Sequence, residues 1–104
     1  MARKEPAMTN NNFPKISYEE YCEARNEMQK ELREFADQLF PQKGSRYVEI
    51  YTDFWFGKGI ESQVNWSAIG SVSAEEAIKF AQLLTKAAEL AKNFKYNGYK
   101  VDED

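Results

Sequence analysis

Between Arg46 and Ser71 the chain reads RYVEIYTDFWFGKGIESQVNWSAIGS, and the first half of this stretch alternates without a break. Val48, Ile50, Thr52, Phe54 and Phe56 fall on one side of an extended chain. Tyr47, Glu49, Tyr51, Asp53 and Trp55 fall on the other, because successive side chains of a strand point to opposite faces. The second half repeats the pattern, with Ile60, Val64, Trp66 and Ala68 on one side and Glu61, Gln63, Asn65 and Ser67 on the other. The stretch therefore predicts a β-hairpin with one apolar side. Its turn falls within Phe56-Gly57-Lys58-Gly59, where two glycines supply the positive φ angles of a tight connection. Gly70 ends the second strand or bulges it.

A helix is expected on each side of the hairpin. Ser17-x-x-Glu20 is a capping box, with Ile16 and Tyr21 at the flanking staple positions. Tyr21, Met28, Leu32, Phe35 and Leu39 then recur at helical spacing beside Ala24 and Ala36, with Arg25 interrupting the stripe. Pro41 stops this helix near Phe40 after about 23 residues, and Gln42 to Ser45 lead into the first strand. Val72, Ser73-x-x-Glu76 and Ala77 repeat the start signal. The second helix carries Ala77, Phe80, Ala81, Leu84, Ala87, Ala88 and Ala91 on one side, widened by Leu83, Leu90 and Phe94, so it must touch more than one neighbour. Asn97-Gly98 supplies a left-handed cap, after which Tyr99 and Val101 fold back on the last turn or add a short third strand.

The fold class is therefore α+β: a small single domain in the order helix, strand, strand, helix, with two helices on one face of an antiparallel β-hairpin. Residues 1–13 read as a flexible leader, 14–101 as the domain and 102–104 as an acidic end. With 104 residues there is room for one core, and a two-stranded sheet is marginal alone. Packing by both helices, a third strand or dimerisation through the sheet must support it. An apolar fraction of 42% with 14% aromatics is enough to fold.

No segment has the apolar length of a signal-peptide core or a membrane span, so the expected compartment is cytoplasmic. Cys22 is the only cysteine, which forbids an internal disulfide. Asn65-Trp66-Ser67 matches a glycosylation sequon, but inside a predicted strand of a chain without a secretion signal it is expected to stay unused. The net charge of −3 is uneven, with residues 16–40 alone summing to −4. No basic footprint for nucleic acid is visible.

Catalytic chemistry finds little to work with. The chain has no histidine, which removes the commonest general base and every histidine triad. A single cysteine cannot build a zinc site, and Cys22 lies among Glu19, Glu20 and Glu23, where a thiolate is disfavoured. Gly57-Lys58-Gly59 lies between strands and lacks the spacing of a phosphate loop. Glu49 and Asp53 lie about 13 Å apart along a strand, too far for a glycosidase acid pair. The expected enzyme, cofactor and metal content is none.

Two surfaces remain. Tyr47, Glu49, Tyr51, Asp53 and Trp55 combine three aromatics with two carboxylates beside Gln63, Asn65 and Ser67, the make-up of a protein-binding patch if the helices cover the opposite face. Glu19, Glu23, Glu27 and Glu31, spaced by four on the first helix, offer an alternative. Carboxylates about 6 Å apart imitate a phosphate backbone and suit the basic groove of a nucleic-acid-binding protein. The leading expectation is a non-enzymatic module that occludes a protein partner through the aromatic face, or uses that face in a homodimer, with no direct nucleic-acid or membrane contact. In size and composition alone the chain resembles small accessory proteins of phages and mobile elements, including inhibitors of host nucleases.

Overall fold

A computed structural model of the chain describes residues 13–41, 48–53, 59–67 and 71–102. The element order is β1 (Lys15–Ser17), α1 (Tyr18–Leu39), β2 (Val48–Asp53), β3 (Glu61–Trp66), α2 (Ala74–Lys92) and β4 (Lys100–Asp102). Two helices pack on an antiparallel hairpin, giving a small α+β domain. The leader up to Asn12, the Gln42 to Ser45 connection, the Gly57-Lys58 turn, Gly70 and the acidic end from Glu103 onward lie outside the described residues, as do Phe54, Phe56 and Ala68.

The hairpin register pairs Val48 with Trp66, Ile50 with Val64 and Thr52 with Ser62 on one face. On the other it pairs Glu49 with Asn65, Tyr51 with Gln63 and Asp53 with Glu61. The first face meets the helices: Val48 and Ile50 join Tyr21, Met28, Leu32 and Ala36 of α1 and Leu83, Ala87 and Ala91 of α2 in one buried cluster. Burying these side chains is the main force that orders the chain.

β1 was not foreseen, because three residues give no readable period. Its Ile16 is buried and pairs with Val101 in a parallel ladder with β4, so the third strand suggested by Tyr99 and Val101 forms against the start of the domain. Two further bonds join this pair of strands to the hairpin. The Ile60 N–H donates to the Tyr99 carbonyl at 2.7 Å, and the Gly98 N–H donates to the Ile60 carbonyl at 2.8 Å. Gly98 and Tyr99 thus oppose Ile60 together, the arrangement of a β-bulge headed by a left-handed glycine. Gly98 has φ 88° and sits in a turn closed by Tyr99 N–H to Tyr96 O at 3.0 Å. Positive φ therefore belongs to Gly98 and not to Gly59, which was expected to need it.

Several local expectations are corrected. Ser17 accepts from the Glu20 N–H at 3.1 Å, but the Glu20 carboxylate takes the Ser17 hydroxyl instead of its amide, so only half the box forms. The box at Ser73 and Glu76 is complete. Its staple is not, since Val72 and Ala77 are exposed. Ala81 and Ala88 are exposed as well, because the face of α2 that turns inward runs through Leu83, Ala87 and Ala91. Asn93, not Asn97-Gly98, caps α2 by backbone position. Asn97 contributes through its side chain, whose amide donates to the carbonyls of Ala91 at 2.8 Å and Lys92 at 3.3 Å. Among the described residues no helix is long and apolar enough to cross a membrane.

Candidate functional site

The hairpin face turned away from the helices carries Glu49, Tyr51 and Asp53 on β2 and Glu61, Gln63 and Asn65 on β3. Glu49, Glu61, Gln63 and Asn65 are exposed, and Tyr51 keeps 51% of its surface open. The reason lies on the other side of the strands. Val48 and Ile50 are drawn into the core, and the two-residue period then sends their neighbours outward. Tyr47 and Trp55, assigned to the same face by alternation, lie outside the described residues.

Helix α1 fixes the strand that presents Tyr51. The Gln29 side-chain amide donates to the Ile50 carbonyl at 3.2 Å. The Tyr21 hydroxyl donates to the Thr52 carbonyl at 3.2 Å and also meets the Thr52 hydroxyl. These carbonyls belong to alternate residues, the spacing of groups along one edge of a strand. A groove of about 310 Å³ runs beside this edge, lined by Gln29, Leu32, Arg33, Val48, Glu49, Ile50 and Tyr51. The candidate face therefore has a rigid backing and an open flank.

Its electrostatics are one-sided. Asp53 and Glu61 are direct cross-strand partners, and like charges in that position repel. Among the described residues no ion pair reaches Glu49, Asp53 or Glu61, and no group of three carboxylate or cysteine side chains is placed to hold a metal ion. The arrangement offers an aromatic ring, two amides and three carboxylates on one face.

The acidic series on α1 is less uniform than its spacing. Glu19, Glu23 and Glu27 are exposed, but Glu31 binds Lys86 of α2 at 3.1 Å. The ammonium of Lys86 also lies 5.6 Å from the Phe35 ring centre. Relief for Glu31 therefore comes from the neighbouring helix. Arg25 stands over the Tyr21 ring at 5.5 Å, which explains how a cation fits within the apolar stripe. Cys22 is half-buried, and its side chain holds the Tyr18 phenol above its ordinary value.

Trp66 belongs by alternation to the apolar side of the hairpin, and the core does not enclose it. It lies on the helix-facing side opposite Val48, yet 52% of its surface is open, and among the described residues its ring contact is Phe80 at 6.0 Å. Ile78, which was not singled out, is 61% exposed. No period in the sequence marks where α2 stops covering the end of the hairpin. Comparisons with protein-family models, curated proteins and solved structures find no match for this chain.

Proposed function

We propose that the chain is a non-enzymatic interaction module that binds and occludes a protein partner through the outer hairpin face. The observation that carries this reading is the exposure of Tyr51 between carboxylates, on a strand whose other face is locked to two helices. Tyrosines on a rigid support lose little freedom on binding and recur at binding hot spots. Tyr47 and Trp55 extend the same face by sequence alternation.

The α1 alternative draws less support, because Glu31 is already engaged by Lys86. The test uses wild type and Tyr51→Ser as paired baits. A partner held by wild type should be lost with Tyr51→Ser while the thermal melt stays in place. Equal capture by both baits removes the reading.

A further inference from the structure

The outer face carries a feature that self-packing does not require: Asp53 and Glu61 stand directly opposite each other, with Glu49 on the same face. Cross-strand neighbours have Cβ atoms about 4.5–5.5 Å apart, close enough for both carboxylates to contact one cation. Tyr51 is the next residue of that face along β2, about 7 Å from Asp53 by strand rise. Gln63 lies across from it.

From this geometry we propose that the partner docks an arginine side chain here, its guanidinium laid on the Tyr51 ring and its N–H groups shared by Asp53 and Glu61. The proposal rests on the reading of this face as a protein-binding surface and names the chemistry of what it binds. Charge complementarity carries it: three carboxylates face outward, and among the described residues none is met by a cation. Arginine fits better than lysine because its planar fork stacks on a ring and donates to two carboxylates at once. Phosphate-bearing ligands are repelled by the same groups.

The experiment is a titration of the isotope-labelled full chain, at low salt, with the peptide acetyl-Gly-Arg-Gly-Arg-Gly-amide and with its lysine counterpart, followed by amide NMR shifts. Saturable shifts are expected along 49–53 and 61–65. The arginine peptide should bind about threefold more tightly than the lysine peptide, the margin that a stacked guanidinium adds at an exposed site. Tyr51→Ala should erase that margin, and Asp53→Asn with Glu61→Gln, which relieves repulsion and keeps the fold, should weaken both peptides. Shifts centred on Glu19 to Glu27, no saturable binding, or indifference to the Asp53/Glu61 double change would each overturn the proposal. The broader reading is tested separately: equal capture by wild type and Tyr51→Ser removes it, whereas a partner lost with Tyr51→Ser but retained by the Asp53/Glu61 double variant leaves the face a binding site and removes only the arginine.

Discussion

A Cβ atom placed on Gly59 would lie 2.6 Å from the carbonyl oxygen of Gly98 and 2.8 Å from its Cα. The contact is with backbone, which cannot swing aside, and it sits where Ile60 bonds to Gly98 and Tyr99. Gly59→Ala must therefore push the hairpin away from the β4 segment, at a cost of about 1–3 kcal/mol. Gly98→Ala meets open space, but its φ of 88° costs an L side chain about 1–2 kcal/mol. Urea denaturation of both variants checks the pair. An unchanged midpoint for Gly59→Ala would show that the two segments are not held this closely.

The Asn97 side chain ties two elements together: its amide donates to the last carbonyls of α2, and its oxygen accepts from the Ser62 hydroxyl of β3 at 2.7 Å. Asn97→Ala deletes all three bonds and should cost about 1–2 kcal/mol, a typical net bond being about 1 kcal/mol and partly exposed here. Asn97→Asp keeps the acceptor for Ser62 but replaces the donors with a charge facing carbonyl oxygens. It should be no better than alanine. Thermal melts of the two variants decide this, and an aspartate variant as stable as wild type would show that the capping bonds contribute little.

These two anchors also show what was legible beforehand. The hairpin faces could be read because Val48 to Asp53 alternate strictly, and a one-residue slip would have turned Ile50 out of the core. Ser73 and Glu76 announced α2 because a capping box is a local device between residues three apart. Asn97-Gly98 reads as local chemistry of the same kind, and Asn97 does reach the Ala91 and Lys92 carbonyls, yet the pair also bonds to Ile60 and Ser62, more than thirty positions away. Nothing near Gly59 or Gly98 encodes that meeting. The open face of the candidate site followed from alternation, whereas the Glu31 to Lys86 pair and the exposure of Trp66 depended on how α2 crosses the hairpin, a tertiary choice.

Relief of the Asp53 and Glu61 opposition should be measurable without any partner. Converting the pair to opposite charges with Glu61→Lys should raise stability by about 0.2–1 kcal/mol, the range for a cross-strand pair. The gain should shrink in 1 M salt, where exposed charges are screened. Chemical denaturation with urea at low and high salt makes the comparison. A loss of stability at low salt would mean that the two side chains diverge from one another despite their shared register.

The edge of β2 supplies the last test. Tyr21 and Gln29 of α1 occupy the carbonyls of Thr52 and Ile50, and an unprotected strand edge is a template for pairing with another chain. Tyr21→Phe keeps the buried ring beside Phe94 and removes only the hydroxyl, so it should cost about 0.5–1.5 kcal/mol. Combining it with Gln29→Ala frees both carbonyls at once. The double variant should exchange its β2 amides faster and show a mass that rises with concentration in light scattering, while wild type at the same concentrations should keep a constant mass. If the double variant also holds a constant mass, the two side chains serve stability alone and do not guard the edge.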